Sequence, residues 1–243
     1  MPVFILFAGL LMVPFIAFAG ELGCVYESFA VVQVMKAGTA EWQPAKKGLP
    51  LAEGDRVSTG EKGWCEILFR DGTFVKLDSG TETVVEELKV SPETRAYTFN
   101  LLRGKTLWMA AKLKVAVTSR FSVRTPAAVC AVRGTDFSIS VSSAGTAVGL
   151  FAGKVDISSL DGKGKELLPG HEACAGAAGI ALQQGFSRAM QAEQRRYEKL
   201  KSRVEGLRKR LAERDGFIDD YINRQNKKMA DFEARRAEKL KKR

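Results

Sequence analysis

Residues 65–77 read Cys65-Glu66-Ile67-Leu68-Phe69-Arg70-Asp71-Gly72-Thr73-Phe74-Val75-Lys76-Leu77. Two short apolar-rich runs flank Asp71-Gly72, which predicts two strands joined by a tight hairpin. A type I′ turn needs positive φ at both central residues, and Asp-Gly tolerates it. Working outward, Ala30–Val34, Tyr97–Leu101, Phe121–Val123 and Phe137–Val141 read as further short strands, several alternating apolar with polar side chains. Turn residues punctuate them densely: Gly54-Asp55, Gly60, Gly80, Pro92, Gly104, Pro126, Gly134, Gly145, Gly153 and Gly162. No helical period lasts long enough to build a βαβ unit. The expected fold from Phe29 to about Ile157 is therefore all-β, as a solenoid-like or rolled β module.

The turn motifs also occur in a recognisable order. Trp42-Gln43-Pro44-Ala45 and Gly48-Leu49-Pro50-Leu51 come first, then Gly54-Asp55-Arg56-Val57-Ser58-Thr59-Gly60 and Ile67 to Thr73. Phe99 to Lys105, Phe121 to Ala128 with its Thr125-Pro126, Val132-Arg133-Gly134-Thr135-Asp136-Phe137 and Gly153 to Ile157 follow. This ordered set resembles the FecR domain family over about half of the chain. The resemblance implies an all-β module on the outer side of the cytoplasmic membrane. It assigns the motif positions Gly54, Asp55, Asp71, Gly72, Thr125, Pro126, Arg133, Gly134 and Thr135, read as structural. Gly134 is expected to take a backbone conformation closed to other residues, and Arg133 to anchor a corner through carbonyls. Cys130 and Ala131 depart from the family's more usual Ala and Gly. Iron-uptake regulators of the family carry an anti-sigma segment and a membrane helix before the domain; neither is read here, so sigma-factor regulation is not carried over.

Before the β region, Pro2 to Ala19 has no charged side chain and ends in Ala17-Phe18-Ala19. A small-x-small ending predicts a signal peptide with cleavage before Gly20, and hence export to the periplasm or cell envelope. An uncleaved anchor is the alternative. Cys24, Cys65, Cys130 and Cys174 permit two disulfides in an exported chain, in any of three connectivities. Cys65 and Cys130 sit in apolar runs and read equally as small buried hydrophobes.

After the β region the period changes. Tyr197, Leu200, Val204, Leu207 and Leu211 follow steps of three and four, the seam of a long helical, coiled-coil-like tail. Gly206 and Gly216 each weaken that helix by about 1 kcal/mol relative to Ala. The expected organisation is a signal peptide at 1–19, a FecR-like β domain at 27–178, a linker at 179–186 and a basic helical tail at 187–243. The formal charge of +10 is concentrated in the tail: 19 Lys and Arg against 10 Asp and Glu from Ser187 onward leave +9, and 19 against 18 before it leave +1.

Catalytic chemistry is not expected. His171 is the only histidine, which makes Ser-His or Cys-His nucleophilic catalysis hard to assemble. Asp55, Asp71, Asp78 and Asp136 sit where turn chemistry alone calls for Asp, and Trp42, Trp64 and Trp108 read as packing residues. No cofactor, catalytic group or metal ligand is assigned. The first functional reading is a non-enzymatic envelope binding or scaffold module whose tail self-associates or contacts a protein partner, an anionic polymer or a lipid surface, with nucleic acid disfavoured. The second is an extracytoplasmic sensor that acts on a membrane partner.

Overall fold

The computed structural model describes residues 22–90, 94–111, 118–213 and 216–241. The segment expected to be a cleaved leader, 1–19, and its site before Gly20 lie outside the described residues. Strands run in the order β1 (Gly23–Phe29), β2 (Val32–Met35), β3 (Trp42–Pro44), β4 (Arg56–Thr59), β5 (Trp64–Phe69), β6 (Phe74–Leu77), β7 (Glu82–Val90), β8 (Thr94–Met109), β9 (Thr118–Arg124), β10 (Ala128–Ser142), β11 (Gly145–Ser159), β12 (Gly164–Leu167), β13 (His171–Gly176) and β14 (Gly179–Gln184). Helices α1 (Arg188–Glu213) and α2 (Phe217–Lys241) follow.

Three of these strands are long enough to belong to two layers at once. The first half of β8 pairs with β7 and β9, and its second half with β6 and β10. The two halves of β10 divide likewise between β9 and β8, and the two halves of β11 between β12 and β13. The sheet therefore rolls over on itself. One layer holds β3, β2, β4, β7, β9 and β12, the other β1, β5, β6, β13 and β14, and β8, β10 and β11 cross between them. Pairing among these strands is antiparallel except between β8 and β9, so of the two expected forms the rolled one is adopted.

A glycine with positive φ sits where each long strand turns from one layer into the other: Gly104 (+90°), Gly134 (+59°) and Gly153 (+90°). At Gly104 a Cβ would lie 2.4 Å from the Thr81 backbone, and at Gly153 2.9 Å from the Gly134 carbonyl oxygen. The corners thus nest backbone against backbone, which only glycine allows.

Between the layers lies one aromatic core. Phe99 meets Trp108 at 4.9 Å between ring centroids, Trp108 meets Phe121 at 5.4 Å, and Phe69 meets Tyr97 at 5.4 Å. Trp108 is fully buried, as a packing role requires, whereas Trp42 is partly exposed. Along β5 the side chains alternate: Cys65, Ile67 and Phe69 face this core, while Leu68 joins a second cluster on the opposite face. A strand buried on both faces explains the nearly continuous apolar run that the sequence shows there.

The hairpin at Asp71-Gly72 forms, with a different turn. Gly72 N–H donates to Phe69 C=O and Phe69 N–H to Thr73 C=O (both 2.9 Å), so the loop has three residues, with only Gly72 at positive φ (+86°). Asp71 accepts bonds from the Thr73 N–H (2.8 Å) and hydroxyl (3.0 Å). Those bonds hold Asp71 out of the left-handed region, and the extra residue becomes a bulge.

Two expectations about the C-terminal part are corrected. Residues 179–184 are strand β14, not linker: Gly179, at φ +92°, closes a hairpin on β13, whose small Ala and Gly residues hide the usual strand pattern. The long coiled-coil-like tail is replaced by two helices, of 26 and 25 residues, because Gly216 takes φ +85° and breaks the chain direction. Both helices pack back onto the β-domain. The four cysteines are free thiols, with Cys24, Cys65 and Cys130 buried. Burial pushes the Cys130 thiol up to about 12, so it is inert packing.

Candidate functional site

The outer face of the layer containing β1, β5 and β6 carries Cys24, Leu68, Phe74, Leu107 and Met109, all buried. Helix α1 lies across it with Tyr197, Val204 and Leu207, and α2 adds Phe217, Ile218 and Ile222. Leu200 and Leu211 pack at the margin of the same cluster. The five residues read as an intermolecular seam are thus spent on the chain's own β-domain, which is what overturns the coiled coil. Ser187 caps α1, accepting from Met190 N–H (3.2 Å), and Glu172 of β13 accepts from Ser187 N–H (2.7 Å), so the helix start is tied to the sheet.

Charged contacts then fix the helices in register. Lys105 reaches Glu193 at 2.9 Å, Arg196 donates to Asp78 at 2.6 Å, and Arg70 pairs with Asp219 at 2.6 Å. Glu66, buried in β5, accepts from Arg203 of α1 at 2.6 Å and from Lys76 at 3.0 Å. Arg208 donates to two carbonyls at once, Gly72 (3.0 Å) and Met109 (2.7 Å). Tyr197 donates its hydroxyl to Asp136 at 3.0 Å, and Tyr221 donates to the Tyr26 carbonyl. Burial alone would raise the Asp78 pKa; the bond and charge of Arg196, helped by Lys105, outweigh it and hold the carboxyl below its usual range. Burial, then Asp136, raise the Tyr197 phenol above its ordinary value. The result is a helical clamp, apolar at its centre and ionic along its edges, closed over one face of a rolled sheet.

The motif positions do not converge on one pocket. Asp55, fully buried, accepts from Ala37 N–H (3.0 Å), Ala52 N–H (2.9 Å) and Lys36, and Gly54 beside it has φ +87°. Thr125 accepts from Ala128 N–H (3.0 Å) and from the Thr146 hydroxyl (2.9 Å), closing the turn at Pro126. Thr135 donates to Lys154 C=O (2.8 Å) at the Gly134 corner; the Arg133 side chain lies outside the described residues. Only two of these regions touch the clamp: Gly72 under Arg208, and the Thr135 corner through its neighbour Asp136. His171 contacts the Pro169 carbonyl (3.1 Å).

Sequence reasoning missed Arg196, Arg203 and Arg208, which read as solvated cations. The available signal was their partners: Glu66, Lys76 and Lys105 are charged residues inside strands otherwise buried, and such residues call for ionic partners.

The polar groups of the clamp and of the motif positions are arranged to hold elements of the rolled sheet together. In comparison with known proteins, residues 55–156 match the FecR protein family. Two crystal structures of a proposed anti-sigma factor from Parabacteroides distasonis share 20% identity with this chain. Both align with a TM-score of 0.47 over 56% of this chain and 62% or 63% of theirs, so the match spans less than two thirds of those proteins. No curated protein matches the chain. Among the described residues, no helix is long and apolar enough to cross a membrane.

Proposed function

We propose that this chain is a regulatory module of a signalling system, which passes a cue to a membrane protein partner on the outer side of the cytoplasmic membrane. The FecR-family match over residues 55–156 of the β-domain carries this reading and favours it over an inert envelope scaffold. It also argues for regulation rather than catalysis, since the family is one of regulators. The clamp suits such a role: a helical pair seated on one face of a sheet over an apolar centre, with ion pairs and carbonyl contacts along its edges, has a position that binding elsewhere can shift.

The test is transcriptional. Deleting the gene for this chain, and separately restoring it, should change transcript levels of a small, reproducible set of genes. An unchanged transcript profile accompanied by altered envelope integrity would reverse the choice in favour of the scaffold.

A further inference from the structure

At the elbow where α1 gives way to α2, a cleft of about 390 Å³ opens against β1. Its size falls within the roughly 300–1,000 Å³ of small-molecule sites. One wall is aromatic: Tyr26 of β1 stacks on Tyr221 of α2 at 5.1 Å between ring centroids, with Phe217 one turn before Tyr221. Tyr221 also donates its hydroxyl to the Tyr26 carbonyl, which fixes that wall. The rest of the lining is basic. Phe217, Tyr221, Arg224 and Lys228 are spaced by four, three and four residues and so share one side of α2, while Arg210 comes across the elbow from α1. Arg210 and Arg224 donate Nε to carbonyls of their own helices, Gly206 (3.4 Å) and Asp220 (3.1 Å). Neither they nor Lys228 has a carboxylate partner among the described residues, and the one carboxylate of the lining, Glu213, meets Lys209 at 3.9 Å. Unlike Arg196, Arg203 and Arg208, these three cations do not tie a helix to the sheet. Set four residues apart, Arg224 and Lys228 repel each other until an anion lies between them.

We infer that the cleft binds an organic phosphate, its phosphoryl group held by Arg210, Arg224 and Lys228 and its apolar or planar body laid on Tyr26, Phe217 and Tyr221. A phosphate monoester carries about −1.5 to −2 charges at neutral pH and three acceptor oxygens. That matches a lining with a positive surplus and several donors better than a singly charged carboxylate does. Such a group comes from a soluble ester or from a lipid headgroup, and the volume admits either one. A bound ligand bridges β1, α1 and α2, so it draws the two helices and the strand beneath them together. The binding rests on the cleft alone; that the ligand is the cue rests on the regulatory reading above.

The experiment uses the full chain and four probes, namely phenyl phosphate, inorganic phosphate, phenethylamine and phosphatidic acid vesicles, read by calorimetry and thermal melting. Phenyl phosphate should bind and raise the melting temperature, inorganic phosphate should bind about tenfold more weakly for want of the aromatic wall, and phenethylamine should not bind. Arg210→Ala with Arg224→Ala should raise the phenyl phosphate Kd about tenfold or more, as loss of charge-assisted bonds does. Arg235→Ala with Arg236→Ala removes the same charge outside the cleft and should leave that Kd unchanged. All four positions are exposed, so the melting temperature without ligand should stay at the wild-type value. Vesicle binding displaced by phenyl phosphate assigns the headgroup source, and phenyl phosphate binding without vesicle binding assigns a soluble ester. Absence of phenyl phosphate binding, equal binding of phenethylamine or of inorganic phosphate, or equal losses in the two double variants would each overturn the proposal. Failed phenyl phosphate binding with an intact transcriptional response removes the site and leaves the regulatory reading standing; the opposite pair of results removes the reading and leaves the site.

Discussion

At Gly104 and Gly162 the backbone has nearly the same left-handed conformation, with φ of +90° and +83°. Their surroundings differ completely: a Cβ at Gly104 would sit 2.4 Å from Thr81 Cα, and one at Gly162 would meet nothing within 4 Å. Gly162→Ala should therefore cost only the left-handed penalty, about 1–2 kcal/mol, while Gly104→Ala should cost that plus a backbone displacement, for about 3 kcal/mol or more. Urea denaturation of the two variants separates the terms, and equal losses would show that the corner has room to relax. Asp55 supports a second expectation of this kind. Its buried carboxylate serves two N–H groups and Lys36, so Asp55→Ala should destabilise the protein by about 3 kcal/mol or more. Asp55→Asn keeps an acceptor oxygen and should recover part of that loss.

Among the elements, the clamp is the one whose stability can be tuned without touching the core between the layers. Asp78 has a folded pKa depressed below 3.8 by Arg196 and Lys105. Its contribution is complete above that unfolded value and is lost as pH falls through the lower folded one. Limited proteolysis should accordingly find α1 protected at neutral pH and increasingly cut below about pH 4, with the aromatic core still intact as followed by Trp fluorescence. Asp78→Asn should bring that susceptibility to neutral pH. Arg208→Lys should loosen the same helix although charge is kept, because a lysine cannot bond the Gly72 and Met109 carbonyls with one planar group.

Across the whole molecule, what the sequence disclosed followed from how local each signal was. Asp71-Gly72 announced a hairpin, and the period-three-and-four spacing from Tyr197 announced a helix, since both depend on neighbours in the chain. The partner of that helix was not legible. Tyr197, Val204 and Leu207 would look the same whether they faced a second helix or the strand residues Leu68, Phe74 and Met109. Only Gly216, read as a weak point and found as the break between α1 and α2, hinted that the helix would fold back. The rolled form of the sheet was equally hidden, because the pairing of β8 with β10 joins residues 27 to 37 positions apart.

The difference between the two readings of that helix can be measured on the intact chain. A seam that mediates self-association would lose its oligomer when Leu207 becomes Asp. Here Leu207 is fully buried on the chain's own sheet, so Leu207→Asp places a charge in an apolar cluster and should prise α1 from it. The cost of removing so buried a Leu is about 2–5 kcal/mol before any charge is counted, enough to release the helix while the two-layer core remains. Release bares Leu68, Phe74, Leu107 and Met109 as one apolar patch on a protein of net charge +10, whose copies repel one another. The variant should therefore bind more of a hydrophobic dye than wild type and sediment as larger species, more so as salt screens the charge. A Leu207→Asp protein smaller than wild type in solution would instead restore the intermolecular seam.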